Sequence, residues 1–319
     1  MPDYARLALP SWDIPESATV ELVSTSENAT FSVTADGSRR ALRVHRDGYH
    51  SRRAIESEHA WIDALRREDV VRTPAVVRTP AGESVVDVGG RHVALFDWVD
   101  GTSPDDSPQW FAEIGAVSAR LHRHAQSWHP PSGFSRLTWG VEEQLGPRAH
   151  WGRWQDSLGL DAAGIDVLGR CVRTIDDRLR RFGCEKDRFG LIHSDLRAAN
   201  LVVTDDCVTV IDFDDCGFGW YMADLAASLS FVEDRSDVPE LVDAWLTGYR
   251  TVAALGREDE SMVSTFVAMR RIQLTAWIAS HPEADTAREL GANFTDGTLA
   301  VVESYLSSPT LARSSAPRP

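Results

Sequence analysis

The first hundred residues alternate between short apolar stretches and polar turns. Period-2 alternation predicts five strands, and apolar residues at helical spacing predict one helix between the third and fourth strands. The strands are expected at residues 18–23, 31–34, 40–45, 84–88 and 91–96, and the helix from residue 51 to about residue 67. Asp36-Gly37 is typical of a hairpin turn. This order predicts a small lobe of antiparallel sheet plus one helix.

Helical spacing dominates the chain after Asp100-Gly101. Apolar positions recur with the helical period in six further segments. These segments are residues 114–124, 162–181, 224–232, 238–254, 259–280 and 296–306. We therefore predict an α+β protein with an N-terminal lobe at residues 1–99 and a larger, mostly helical C-terminal lobe at residues 100–306. Residues 307–319 are rich in Pro, Ser and Arg, and we expect them to form a disordered tail.

Composition limits the kinds of molecule that the protein is expected to bind. The formal net charge of -15 argues against nucleic-acid binding, because phosphate backbones would be repelled, and it tolerates a cationic substrate. The chain lacks a run of about 18 apolar residues and a signal-peptide pattern, so we expect no membrane partner and a cytoplasmic location. The sequence does not indicate an oligomeric state.

Candidate chemistry lies in one predicted hairpin. An apolar strand leads into a polar loop that carries Asp195 and Asn200. Two further apolar stretches, at residues 201–203 and 207–211, form the hairpin and deliver Asp212. We expect the hairpin to bring Asn200 and Asp212 to the same end.

Phosphoryl transfer from ATP requires such a set of side chains. One Asp must accept or orient the attacking hydroxyl, while an amide oxygen and a carboxylate hold the Mg²⁺ that bridges the phosphates. Hard oxygen ligands suit Mg²⁺. The set therefore predicts ATP and Mg²⁺ as cofactors.

Two motifs carry a family resemblance. His193-x-Asp195-x4-Asn200 matches the spacing of the kinase catalytic loop, and Ile211-Asp212-Phe213-Asp214 stands where kinases have D-F-G. In this form the motifs resemble the aminoglycoside phosphotransferase and choline kinase-like superfamily, which includes homoserine kinases and bacterial stress-response kinases. The resemblance implies a two-lobed protein-kinase-like fold.

The resemblance also implies roles for individual residues. Asp195 would be the catalytic base or hydroxyl-orienting residue, and Asn200 and Asp212 would bind Mg²⁺. His193 would brace the loop. Asp224 would cap a helix and hold the loop in place.

Kinases of this kind also need a cation on the third strand and an acid on the following helix. Ala41 and Arg43 occupy the positions of Ala and Lys in the V-A-I-K pattern, so Ala41 would cover adenine and Arg43 would reach the phosphates. Glu58 lies on the apolar stripe of the predicted helix and is the expected partner of Arg43, because burying a carboxylate alone is costly. The alternative is that Arg43 is a surface residue of the strand and that Glu58 forms a salt bridge at the edge of the lobe.

Arginine in place of the usual lysine is a departure from the family pattern. Lys186 is the only lysine of the chain and lies outside this lobe. Arginine is permanently charged and can contact two oxygens, so Arg43 should still anchor phosphates with altered geometry. A nucleotide-binding pseudokinase stays possible as an interaction module.

Two further segments are expected to contact the nucleotide. Ser26 and Asn28 lie in a turn-rich loop at residues 24–30, which either covers the phosphates or is a plain turn. Phe96, Asp97 and Trp98 stand where the family has its adenine-binding hinge, the alternative being a simple strand end.

The phosphate acceptor is predicted only as a small molecule with a hydroxyl group, such as an amino alcohol or an aminoglycoside. Asp214 and Asp215 could face it. Aromatic and acidic side chains would suit an amine-bearing alcohol. The alternative, which tryptophans in a helical lobe favour, is that they are packing residues. The candidates are Trp139, Glu142, Glu143, Trp151, Trp154 and Trp220. A Ser/Thr protein kinase of the stress-response type is the alternative function.

Overall fold

The computed structural model describes residues 2–25, 28–205 and 207–308. The strands are β1 (Thr19–Thr25), β2 (Ala29–Ala35), β3 (Ser38–Val44), β4 (Val76–Val77), β5 (Val86–Val88), β6 (Arg91–Asp97), β7 (Leu137–Thr138), β8 (Phe189–Ile192), β9 (Leu201–Val203), β10 (Val208–Val210) and β11 (Gly217–Trp220). The helices are α1 (Pro2–Ala8), α2 (Arg52–Arg67), α3 (Pro108–Ser127), α4 (Val141–Leu145), α5 (Ala162–Phe182), α6 (Ala223–Ser228), α7 (Val238–Arg250), α8 (Arg257–Ser280), α9 (Asp285–Leu290) and α10 (Asn293–Ser307).

The chain divides into two compact units. Within the described ranges, the first unit comprises residues 1–102, 129–136 and 201–214, and the second comprises residues 103–128, 137–200 and 215–319. The two segments at 129–136 and 201–214 thus cluster with the N-terminal residues, whereas the predicted lobes were continuous. The division into lobes at residue 99 stays a prediction.

An antiparallel sheet forms the centre of the first unit. Its strands follow the order β1-β2-β3-β6-β4, and β5 pairs with β6. All five predicted strands are confirmed, although the predicted strand at 84–88 shortens to Val86–Val88. In β3 and β6, Ala41 lies opposite Phe96 and Arg43 opposite Ala94.

The N-terminal segment packs on the sheet and was not predicted. Helix α1 is followed by a 3-10 turn at Leu9–Trp12. Leu9 and Trp12 join the core of the first unit, which also contains Phe31 and Leu42. The Trp12 Nε1 donates to the carbonyl oxygen of Val77 at 3.0 Å, which ties this segment to β4.

Helix α2 confirms the predicted helix in the first unit. The Ser51 hydroxyl accepts a hydrogen bond from the Ala54 amide at 3.2 Å. Ser51 therefore caps the N-terminus of α2 and pairs one of the first-turn amides that have no acceptor within the helix. The predicted stripe is buried along its whole length; its members are Ile55, Glu58, Ile62 and Leu65. The helix therefore carries a carboxylate into the core.

The second unit is mostly helical, as predicted. Helices α3 and α7 pack together, and a small sheet of order β7-β11-β8 carries the strand that leads into the catalytic motif. The predicted helix at 224–232 ends earlier, at Ser228, and α4 and α9 were not predicted. Helix α10 includes Ser307, and residues 309–319 of the predicted tail lie outside the described residues. In the part of the chain described by the structure, every helix is too short or too polar to cross a membrane.

Candidate active site

A loop at residues 193–200, here called the catalytic loop, follows β8. The Asp224 carboxylate accepts hydrogen bonds from the backbone amides of His193 at 3.2 Å and Ser194 at 2.7 Å. Ser194 has φ of 68°, a left-handed conformation that is uncommon for residues other than glycine. Because Asp224 is fully buried, its two bonds stabilise this backbone geometry. The link between Asp224 and the loop agrees with what the resemblance implied.

Asp195, the predicted catalytic residue, has both carboxylate oxygens engaged. Its Oδ1 accepts from Arg270 Nη2 at 2.7 Å, and its Oδ2 accepts from Asn200 Nδ2 at 2.8 Å. Arg197 Nε lies 3.4 Å from the same Oδ2. The side chain is 19% exposed, so solvent reaches a carboxylate whose orientation is fixed.

Asn200, a predicted metal ligand, uses its amide nitrogen within the catalytic loop. In addition to the bond to Asp195 Oδ2, Nδ2 donates to the Asp195 carbonyl oxygen at 2.7 Å. The side-chain oxygen is therefore the atom suited to a metal. His193 is buried, and its Nδ1 accepts from the Asp195 amide at 3.4 Å, in keeping with a bracing role.

Arg43 and Glu58, the predicted ATP-anchoring pair, are in contact in the first unit. Arg43 Nη1 lies 3.4 Å from Glu58 Oε1, and Arg43 Nη2 donates to Asp212 Oδ1 at 2.8 Å. Asp212 has φ of 63°, and its side chain is 45% exposed. The surface alternative is wrong, because the Glu58 side chain is only 1% exposed and that of Arg43 only 13%.

The electrostatics of this group follow from burial and charge. Burial lowers the pKa of Arg43, but the neighbouring carboxylates of Asp212, Glu58 and Asp214 raise it above its ordinary value. Burial raises the pKa of Glu58 to about 7 even though the charge of Arg43 opposes that shift. Arg43 is thus a fixed cation among three acids.

Asp214 is buried in the first unit. A residue that faced the acceptor would instead be accessible to solvent. His45 Nδ1 and His50 Nε2 lie 3.4 Å and 3.8 Å from its Oδ1, and His50 Nε2 lies 2.8 Å from its carbonyl oxygen. Burial alone would raise the pKa of Asp214, but the neighbouring His45, His50 and Arg43 side chains hold it well below its ordinary value. The expectation of an acceptor contact for Asp214 is therefore wrong. Its neighbour Asp215 lies in the second unit, where its carbonyl oxygen accepts from Trp139 Nε1 at 2.8 Å.

Residues 129–136, here called the strap, run along α2. The Ser135 amide donates to the Ser57 hydroxyl at 2.9 Å, and Arg53 donates to the carbonyl oxygen of Gly133. The buried Arg136 donates to the Ala54 carbonyl oxygen at 2.9 Å and to that of Asp214, and its Nη1 lies 3.9 Å from Glu58 Oε2. The strap therefore links the helix that carries Glu58 to the segment that carries Asp212.

The predicted adenine-side residues lie at the end of β6. Phe96 is buried, with its ring centroid 5.6 Å from the Arg43 guanidinium. The Asp97 amide donates to the Ala75 carbonyl oxygen at 2.9 Å. Trp98 lies under the Arg39 guanidinium at 3.6 Å and donates to Asp100 at 3.0 Å. Ala41, half-buried, lies opposite Phe96 in the sheet.

The predicted phosphate-covering loop is described only in part. Ser26 lies outside the described residues. The Asn28 side-chain oxygen accepts a hydrogen bond from the Arg46 amide at 2.9 Å, so this side chain has a structural role. A contact between this loop and nucleotide stays a prediction.

The candidate acceptor tryptophans are packing residues. All four are buried, and Trp139 and Trp151 belong to the hydrophobic core of the second unit; the four are Trp139, Trp151, Trp154 and Trp220. Glu142 is exposed and Glu143 half-buried. The packing interpretation is therefore confirmed for the tryptophans.

Sequence reasoning missed two arginines that contact or approach predicted site residues, one in each unit. Arg270 comes from α8 and contacts Asp195, and Arg136 comes from the strap and lies close to Glu58. Neither belongs to a recognisable motif, since each lies dozens of residues from its partner. The available signal was weak: Arg270 and the adjacent Arg271 lie in a mostly apolar stretch of helix, where a buried cation requires a partner.

Comparison with known proteins identifies a matching family and similar structures. A family model described as the phosphotransferase enzyme family (APH) matches residues 19–260. A solved structure of a microcompartment-associated aminopropanol kinase is 40% identical, with a TM-score of 0.90, and the match covers 97% of this chain and 98% of that one.

Amicoumacin kinases are also similar. A solved structure of amicoumacin kinase hAmiN in complex with AMP-PNP, Ca²⁺ and Ami has a TM-score of 0.75 at 20% identity, covering 92% of this chain and 91% of that chain, which supports the fold. The amicoumacin kinase of Bacillus subtilis (strain 168) is 24% identical over 219 residues, or 66% of this chain. The match spans 62% of the length of that protein. Because the family model covers most of the sequence, including both motifs, the chain belongs to the phosphotransferase enzyme family.

Proposed function

We propose that the protein transfers the γ-phosphoryl group of ATP to the hydroxyl group of a small amino alcohol. The observation that carries the proposal is the orientation of Asp195, whose Oδ1 and Oδ2 are held by Arg270 at 2.7 Å and by Asn200 at 2.8 Å. A carboxylate fixed in this way is suited to orient a hydroxyl and accept its proton. Identity of 40% to an aminopropanol kinase along nearly the whole chain supports an amino alcohol as acceptor.

Asp195 would act on the acceptor alone. The acceptor hydroxyl donates a hydrogen bond to the Asp195 carboxylate. As the acceptor oxygen bonds to the γ-phosphorus, the bond between that phosphorus and the β,γ-bridging oxygen breaks, and ADP keeps the electron pair. The hydroxyl proton passes to the Asp195 carboxylate.

Arg43 would contact the ATP phosphates while Glu58 holds it in place. A guanidinium can contact two phosphate oxygens, and the Arg43–Glu58 separation of 3.4 Å supports this anchoring role. Ala41, Phe96, Asp97 and Trp98 stay the proposed adenine-side residues.

Asn200 and Asp212 each offer an oxygen donor whose chemistry suits Mg²⁺. The amide nitrogen of Asn200 donates to Asp195, so its side-chain oxygen is the atom suited to a metal. The Asp212 carboxylate is 45% exposed. Mg²⁺ prefers such oxygen donors, and when bound it would neutralise charge on the phosphates.

A cationic acceptor also suits the electrostatics of the chain. The formal net charge is -15, and an acidic protein attracts small cations over long distances. This property supports an amine-bearing acceptor over an anionic one.

An ADP-release assay across an acceptor panel tests the proposal. The panel contains aminopropanol, ethanolamine, choline, homoserine, aminoglycosides and a general protein substrate, each with and without Mg²⁺. We expect one amino alcohol to give the highest kcat/KM, and Asp195→Asn to lower kcat by about 10²–10⁴-fold while ATP still binds. Phosphate incorporation only into protein would favour the protein-kinase alternative, and nucleotide binding without turnover on any acceptor would favour a pseudokinase.

A further inference from the structure

Helix α8 carries two adjacent buried arginines, Arg270 at 5% exposure and Arg271 at 1%. A buried cation is costly unless it is paired and hydrogen-bonded. Neighbouring positions on a helix point in different directions, so the two guanidinium groups reach different surroundings. The pair allows a structural arginine to be compared with a functional one.

Arg271 forms a structural network. Its Nη1 donates to the fully buried Glu233 at 2.8 Å, and its Nε donates to Thr298 Oγ1 at 3.0 Å. Its guanidinium lies 3.6 Å from the ring centroid of Phe294. These contacts link α8 to α10, and none of them involves the catalytic loop.

Arg270 instead contacts the catalytic loop at two atoms. Its Nη2 donates to Asp195 Oδ1 at 2.7 Å, and its Nη1 lies 3.3 Å from the carbonyl oxygen of Ser194. The rest of the guanidinium is held by Ser230 Oγ at 2.9 Å and stacks 4.7 Å from the ring centroid of Trp151. A group fixed on several sides can in turn fix the carboxylate that it contacts.

We propose that Arg270 is a positioning residue for phosphoryl transfer. It engages Asp195 Oδ1 while Asn200 engages Oδ2, and the two contacts together orient the carboxylate toward the acceptor hydroxyl. It also balances the carboxylate charge, which would otherwise repel the anionic phosphoryl group as it approaches the acceptor. This role rests on the proposed function, in which Asp195 orients that hydroxyl.

The geometry distinguishes this role from simple packing. An arginine that only filled space would not need its shortest hydrogen bond, at 2.7 Å, to end on a partly exposed carboxylate. The contact with the Ser194 carbonyl oxygen fixes the residue whose left-handed backbone directs Asp195. Arg270 thus controls both the position and the rotation of the predicted base.

Variants at the two adjacent arginines test the proposal. Kinase activity is measured in the full-length protein with its best acceptor, beside thermal unfolding, for Arg270→Gln, Arg270→Lys and Arg271→Gln. We expect Arg270→Gln to lower kcat by about 10²-fold with little change in KM for ATP, because a small displacement of a catalytic group has effects of that order. Arg270→Lys keeps the charge but loses the planar donor geometry, so it should recover part of the lost kcat.

Two controls separate positioning from stability. Arg271→Gln, or the milder Thr298→Ala if the first does not fold, should lower Tm and leave kcat of the folded enzyme near that of the unaltered protein. Arg257→Gln, exposed in the first turn of the same helix, should change neither quantity. A kcat loss in Arg270→Gln that only tracks its Tm loss, as in the Arg271 and Thr298 variants, would overturn the proposal.

Asp195→Asn in the same assay separates the Arg270 role from the proposed function. If it is inactive while Arg270→Gln has unchanged kcat, the Arg270 role is wrong and the proposed function stands. If Asp195→Asn keeps full turnover, the assignment of Asp195 fails and the Arg270 role fails with it.

Discussion

Arg43 Nη2 donates to Asp212 Oδ1 at 2.8 Å, although 169 residues separate them in the chain. One residue is the predicted phosphate anchor and the other a predicted metal ligand. The same guanidinium lies 3.4 Å from Glu58. The first unit therefore holds the predicted phosphate anchor and one predicted metal ligand in a single group of paired charges.

Replacing Arg43 should weaken the use of ATP. Arg43→Ala removes a charge-assisted contact worth about 1.5–3 kcal/mol, so KM for ATP should rise about 10- to 100-fold. The KM of Arg43→Lys for ATP should lie between those of Arg43→Ala and the unaltered protein, because lysine keeps the charge without the forked geometry. Steady-state kinetics with varied ATP measure the effect, with the exposed Arg180→Ala as control. An unchanged KM in Arg43→Ala would place the phosphate anchor elsewhere.

Replacing Asp212 should alter the dependence on Mg²⁺. Asp212→Asn keeps the shape of the side chain and removes its charge, so a higher Mg²⁺ concentration should be needed for half-maximal turnover. Titration of kcat with Mg²⁺ at saturating ATP measures this shift. Asp205→Asn, exposed in the turn between β9 and β10, is the control. Identical Mg²⁺ titrations for Asp212→Asn and the unaltered enzyme would contradict the metal role.

Removing Arg136 should loosen the helix that carries Glu58. Arg136→Met deletes the bonds to the carbonyl oxygens of Ala54 and Asp214 and leaves Glu58 Oε2 buried without this cation. We expect the free energy of unfolding to fall by about 3 kcal/mol and KM for ATP to rise. Urea unfolding and kinetics measure both, with the exposed Arg148→Met as control. Equal stability of the two variants would show that the strap does not hold α2.

Acid should destabilise the protein through His50. Burial lowers the pKa of His50 to about 3, although Asp214 opposes the shift; the charge of Arg136 and neighbouring His45 lower it further. Between this value and an unfolded value of about 6.5, the unfolded chain binds more protons, so stability falls as pH falls through that window. Tm measured from pH 7 to pH 4.5 should therefore decrease less steeply in His50→Gln than in the unaltered protein. The exposed His129→Gln should follow the unaltered curve, and parallel curves for all three proteins would refute a role for His50.

The sequence predicted those parts of the site that depend on local spacing. Asp195 and Asn200 share one loop, and the Arg43–Glu58 pair was expected from the kinase pattern, with strand alternation and helical periodicity locating the two positions. Arg270 could not be predicted in this way, because its contact with Asp195 spans 75 residues and depends on how α8 packs. The burial of Asp214 was missed for the same reason, since His45 and His50 reach it from a distant part of the chain.

Helix α8 has a further consequence for how this enzyme could acquire new acceptors. Between Met262 and Ile278 it is buried on nearly every side, and this section carries Arg270 and Arg271 in separate networks. Such a helix offers few positions at which a mutation is tolerated, because each change disturbs close packing or a buried charge. We therefore expect natural or directed evolution of acceptor preference to proceed through the surrounding loops, with α8 as the constant framework against which they vary.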